Sequence, residues 1–124
     1  AHIARAAIES IAFQVADVVE SMTRDSDVQL AELRVDGGAS INNLLMQFQA
    51  DLLGLPVVRP SNTESTAMGA AYLAGLGAGV WKSTDDIASL WKPERTFDPV
   101  MSDDERRSSL ARWHKARDRA MGWE

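Results

Sequence analysis

At 124 residues the chain has the length of one domain, and a chain of that size buries roughly two thirds of its unfolded surface, so a real core is possible. Its 45% hydrophobic and 25% charged residues exclude a disordered or fibrous protein, and a net charge of −5 opposes attraction to nucleic acid or anionic lipid. The absence of cysteine excludes disulfides and thiolate zinc sites, two histidines argue against a histidine-rich metal site, and no run approaches the ~18 apolar residues of a membrane span. A reducing, cytoplasmic setting is the default expectation.

Over residues 2–24 the apolar side chains Ile8, Ile11, Ala12, Val15, Val18, Val19 and Met22 recur three and four apart, which predicts one face of a long amphipathic helix. The helical pattern is already running at Ala1-His2-Ile3, with no initiating methionine and no leading loop, as expected for a piece of a longer protein. The polar cluster Arg24-Asp25-Ser26-Asp27 ends the helix, and residues 30–35 alternate as a short strand. Ile41, Leu44, Leu45, Phe48 and Leu52 then return to helical spacing, with Gly54 where a C-cap glycine belongs.

Pro56-Val57-Val58-Arg59-Pro60 fences a β-branched pair between prolines, which predicts a short strand at a sheet edge or strand start. Ser61-x-x-Glu64 fits a capping box, with Thr63 as a rival cap, for a third helix through Ala67, Ala70, Ala71, Ala74 and Ala78. Its small side chains admit close approach of a neighbour, and Gly75, Gly77 and Gly79 weaken and end it. Residues 81–99 read as a connector with a helical turn at 85–90 and an extended section near 93–99. Ser102-Asp103-Asp104-Glu105 repeats the capping box and opens a C-terminal helix, with Arg112, Lys115, Arg117 and Arg119 in its later turns. Leu110, Trp113, Ala120 and Trp123 are its predicted packing stripe.

The order helix, strand, helix, strand, helix, connector, helix is an α/β pattern. Two short strands are marginal as a sheet, so further strands are expected, preceding Ala1. An unpaired sheet edge invites another chain, and a homo-oligomer is one way to cover it.

In open α/β sheets ligands gather where a strand's carboxyl end turns into a helix, and Val35-Asp36-Gly37-Gly38-Ala39-Ser40 is such a turn. Glycines there admit positive φ and close approach, while the free N–H groups of the next helix favour an anion such as phosphate. A tight turn with no ligand is the competing reading. The dinucleotide fingerprint G-x-G-x-x-G and the Walker pattern are absent. Asp17, Glu20, Asp25 and Asp27 read as solvated charge on or beside a polar helical face. His114 has no partner histidine or cysteine nearby and reads as a packing or surface residue.

The string "LRVDGGASINNLLMQFQADLLGLPVVRP", followed by "ESTAMGAAYLAGLGAGVW", closely resembles the C-terminal domain of the FGGY sugar-kinase family, in its glycerol kinases. "AHIARAAIESIAFQVADVVESM" and "RWHKARDRAMGWE" extend the resemblance over nearly the whole chain. It implies an α/β fold that is part of an actin-like ATPase (RNase H-like) domain. Residues 1–124 would be the C-terminal portion of the nucleotide-side domain, the N-terminal domain lying outside the sequence. The resemblance further implies ATP-dependent phosphorylation of glycerol, with ATP/ADP and Mg²⁺ as cofactors and the remainder of the kinase chain as partner.

By the same resemblance the strand-Gly-Gly-helix turn binds adenosine, with Gly38 as the close backbone approach and Asn42 as a polar contact. Gly37 serves turn geometry, Ala39 and Ser40 line the loop, Asp36 is a solvated or capping acid, and Asn43 is an exposed helix residue. The phosphate-binding loop, the glycerol contacts and the catalytic aspartate belong to preceding sequence, so no catalytic residue and no metal ligand is expected here, and the chain alone is expected to be inactive. A non-catalytic nucleotide-binding or assembly module, a kinase of a related sugar or polyol, and a structural fragment that binds nothing remain open alternatives.

Overall fold

The structure, a computed structural model, describes residues 1–26 and 28–122; Asp27 of the predicted polar cluster and Trp123 of the predicted packing stripe lie outside the described residues. In chain order the elements are α1 (His2–Ser26), β1 (Leu33–Arg34), a 3-10 turn (Gly38–Ile41), α2 (Asn43–Leu53), β2 (Val57–Pro60), α3 (Ser65–Gly77), α4 (Thr84–Ala88), β3 (Pro93–Phe97) and α5 (Asp103–Met121).

The three strands form one sheet in the order β1-β2-β3, with β1 parallel and β3 antiparallel to β2. Leu33 faces Val57 and Arg34 faces Val58, while Val57 faces Phe97 and Arg59 faces Arg95. Of the two positions expected for 56–60, this excludes the sheet edge and keeps the strand start, where Pro56 directly precedes Val57. All four residues of β2 are buried, because the extended section of the predicted connector supplies a neighbour on its far side. The described residues thus hold three strands, the third being the extended section predicted near 93–99. The prolines cost little here: Pro60 and Pro93 pair at the irregular end of the ladder, where no regular hydrogen-bond register is kept.

Helix α2 packs on β2 and β3 and also on α1 and α5. The core is Ala12, Leu45, Met46, Ala50, Leu52, Val57 and Phe97, with Ile8, Phe13, Leu33, Val35, Phe48 and Leu110 against it. Phe13 links the helices: its ring stands edge-on to Phe48 at 5.5 Å and stacks on Trp113 at 5.0 Å. Gly54 closes α2 in the left-handed conformation, as expected of a C-cap glycine (φ 65°).

The buried side of α1 is narrower than predicted. Ala12 and Ala16 are its buried residues, whereas Ile11, Val18 and Met22 are exposed, because the small alanines allow α2 to approach only along their line. The Ser61-x-x-Glu64 capping box does not form. Glu64 is the N-cap without a side-chain bond, and Asn62 Oδ1 accepts from Glu64 N instead. The second box is complete, with Ser102 Oγ accepting from Glu105 N and Glu105 reaching back to Ser102 N. Along α5 the inward line runs through Leu110, Trp113, His114 and Arg117, and Ala120 is exposed, so the predicted stripe turns toward polar partners at its end. None of these helices is long and apolar enough to cross a membrane.

Candidate functional site

The chain leaves β1 at Arg34 and must reverse into α2 within a few residues. Gly37 makes that reversal with φ 75° and ψ 174°, a region essentially closed to side chains with a Cβ. Its N–H donates to the Thr63 carbonyl at 2.8 Å, tying the turn to the segment before α3. Ser40, 2% exposed, donates its hydroxyl to the Gly37 carbonyl at 2.7 Å and closes the turn from inside.

Gly38 differs. Its φ is not in the left-handed region, and a Cβ built on it meets nothing within 4 Å. Nothing among the described residues requires glycine there, and the residue is exposed at the crest of the loop. Its bare backbone is therefore surface available to an outside group.

Asn42 is the N-cap of α2: its Oδ1 accepts from Leu44 N at 3.0 Å and Leu45 N at 3.2 Å. Two consequences follow for the predicted site. The first N–H groups of α2 are consumed by the protein's own cap, so the expected phosphate seat at this helix start is largely filled. The Nδ2 amide of Asn42, by contrast, donates no bond among the described residues and is the group left to meet a ligand. Gly38 and Asn42 thus stand on one loop, with exposed Ile41 adding apolar surface between them.

Sequence reasoning missed the residue that holds this loop from below. Arg59, only 8% exposed on β2, donates Nη1 to the Ser40 carbonyl at 2.9 Å and to Asn43 Oδ1 at 3.0 Å. Its Nε donates to Glu94 Oε2 on β3 at 2.6 Å, and that bond holds the Glu94 carboxyl below its ordinary pKa. Asn43 is exposed as expected, yet its side chain is engaged. The signal available in sequence was an arginine inside a β-branched strand, where a charge needs partners.

A second cluster joins α1 to α5. Asp17 accepts from Trp113 Nε1 at 2.9 Å and from Arg117 Nη1 at 3.1 Å, and His114 Nε2 lies 3.2 Å from Asp17 and 3.7 Å from Glu20. Partial burial pushes the Asp17 carboxyl up, but the bonds from Trp113 and Arg117 and the charges of Arg117 and His114 outweigh it, so its pKa lies below the ordinary value. This corrects the reading of Asp17 as solvated charge, while His114, half-buried on α5, has carboxylate neighbours rather than a histidine or cysteine. Asp17, Glu20 and His114 place ligand atoms within 4.8 Å of one another, a spacing a cation could bridge. Arg117 already sits on the same Asp17 oxygen, however, and its fixed charge opposes a second cation. The cluster is an ion-pair hub between helices. A groove of about 570 Å³ beside α1 and α5 and another of about 590 Å³ beside α5 share no residue with the glycine loop.

Comparison with known proteins gives this geometry a family. Residues 1–78 match the FGGY family of carbohydrate kinases, C-terminal domain. Glycerol kinase of Deinococcus radiodurans is 61% identical over all of this chain, and glycerol kinase 2 of Thermotoga maritima is 57% identical over 99% of it. The chain spans 25% of the length of each. Among solved structures, Plasmodium falciparum glycerol kinase with ADP superposes with a TM-score of 0.82 at 37% identity, over 95% of this chain and 24% of that one. Xylulose kinase of Lactobacillus acidophilus shares the fold alone, with a TM-score of 0.81 at 18% identity over 98% of this chain and 25% of that one. The α/β elements described above are thus part of an actin-like ATPase fold, and the chain belongs to the FGGY family of carbohydrate kinases.

Proposed function

We propose that this chain is the nucleotide-side, C-terminal part of an ATP-dependent glycerol kinase, which converts glycerol and ATP to glycerol 3-phosphate and ADP in the cytoplasm. The observation that carries the reading is the loop at 37–43, where among the described residues an exposed glycine meets nothing that requires glycine and the neighbouring asparagine amide donates to no partner. A bare backbone and a single donor suit a nucleoside better than a phosphate, because the N–H groups that would hold phosphate are capped. Gly38 admits the adenosine, Asn42 Nδ2 donates to it, and Ile41 offers apolar contact to a planar base.

In such a reaction the γ-phosphoryl of ATP passes to a terminal hydroxyl while a carboxylate takes the hydroxyl proton, and Mg²⁺ neutralises phosphate charge. The described residues do not furnish a magnesium site at the loop: Asp36 is a lone exposed carboxylate, and the Asp17 group stands on α1 and α5. The metal ligands and the proton acceptor belong to the remainder of the kinase. The part played here is to bind and orient nucleotide as one wall of a cleft.

The test is ATP-dependent glycerol 3-phosphate formation by this chain alone and then with the remainder of a glycerol kinase supplied, other polyols run beside glycerol. Turnover is expected only in the combined sample. Substantial turnover by the chain alone, or none when it is completed, overturns the proposal.

A further inference from the structure

We infer that Arg59 is a positioning residue for nucleotide binding: it holds the 37–43 loop in register with the sheet without touching the ligand. This deepens the function proposed above and rests on it.

Three bonds leave one guanidinium in different directions. Nη1 takes the Ser40 carbonyl and Asn43 Oδ1 on the loop side, and Nε takes Glu94 on the β3 side. Only a planar fork reaches acceptors on both sides at once; a lysine at this position carries the charge but not the geometry. The side chain is 9% exposed and lies over Phe97, 5.4 Å from the ring centroid, so its own rotamer is fixed by packing.

The two loop acceptors bracket the proposed contact residue. Ser40 precedes Asn42 by two positions and Asn43 follows it, and Ser40 is in turn bonded to Gly37 through both N–H and hydroxyl. At the other end Gly37 N–H is held by Thr63. Gly38, with no contact of its own at Cβ, is thus placed entirely by neighbours that Arg59 and Thr63 anchor. Displacing a positioned group by about 1 Å can cost on the order of a hundredfold, so a loop held only at one end binds nucleotide far less well.

The test is steady-state kinetics of the full-length kinase carrying this segment, with Arg59→Lys and Asn43→Ala compared with wild type. Arg59→Lys is expected to raise the KM for ATP about ten- to a hundredfold while leaving the KM for glycerol unchanged. Asn43→Ala removes one loop-side acceptor at an exposed position and is expected to raise the KM for ATP about threefold with an unchanged melting temperature. A merely structural role of Arg59 lowers the active fraction, and so the apparent kcat, without moving either KM. Wild-type turnover with an unchanged ATP KM in both variants overturns the positioning role alone. A wild-type enzyme that phosphorylates no polyol with ATP overturns the proposed function and this inference with it.

Discussion

The indole N–H of Trp113 on α5 meets the Asp17 carboxylate of α1 at 2.9 Å, joining residues 96 positions apart. The same carboxylate receives Arg117, and the Trp113 ring stacks on Phe13 one helical turn before Asp17. Removing Asp17 leaves two donors without their acceptor in a part-buried contact. Asp17→Ala is therefore expected to lower stability by about 1–3 kcal/mol, measured by denaturant unfolding of the chain. Glu20→Ala, at an exposed neighbour on the same helix, is expected to change it by no more than about 0.5 kcal/mol. Equal effects would show that Asp17 holds nothing special.

Acid should weaken the same joint. Because the Asp17 pKa is depressed in the folded state, the unfolded chain binds the proton more readily at mildly acid pH. The stabilisation is fully present above the ordinary aspartate value of about 3.9 and is lost as pH falls through the lower folded value. Asp17→Asn keeps an acceptor for Trp113 but does not titrate. The stability difference between wild type and Asp17→Asn is expected to be constant near neutral pH and to shrink below about pH 4, followed by thermal melts. A difference that grows in acid has the opposite sign and excludes this account.

The adjacent glycines should separate cleanly on substitution. Gly37→Ala forces a Cβ into a backbone region essentially reserved for glycine, with an expected cost of about 1–3 kcal/mol. Gly38→Ala places its methyl in open space at an ordinary φ and is expected to stay within about 0.5 kcal/mol of wild type. Gly38→Val is likewise expected to fold but to abolish ADP binding in calorimetric titration. If Gly38→Ala and Gly37→Ala destabilise alike, the structural distinction between the two glycines is wrong.

What sequence made legible was local. Helical spacing located α1, α2 and α5, the Ser102 box marked its helix start, and Gly54 its helix end, because each depends on residues within a turn or two. The glycine turn was visible for the same reason. The central place of β2 was not, since it depends on Pro93–Phe97 folding back from more than thirty residues away. Nor was the choice between Ile11 and Ala12 as the inward line of α1, which small side chains decide only once α2 is present. Arg59 and Asp17 share that fate: their partners, Ser40, Glu94, Trp113 and Arg117, come from other elements, and no spacing rule joins them.

Asn42 caps α2, and the nucleotide contact proposed for its amide can be separated from that cap by substitution. Its Oδ1 caps α2, so Asn42→Ala is expected to cost about 1 kcal/mol of stability in addition to any loss of binding. Asn42→Asp and Asn42→Ser keep a capping oxygen and are expected to retain near-wild-type stability, while lacking the Nδ2 donor. Loss of one hydrogen bond predicts an ADP affinity about three- to tenfold weaker in all three variants, measured by calorimetry. Weakening in all three, with destabilisation confined to Ala, assigns the donor to the nucleotide and the acceptor to the helix. Affinity unchanged in Asp and Ser but lowered in Ala would mean that the cap alone matters and that the amide meets no ligand.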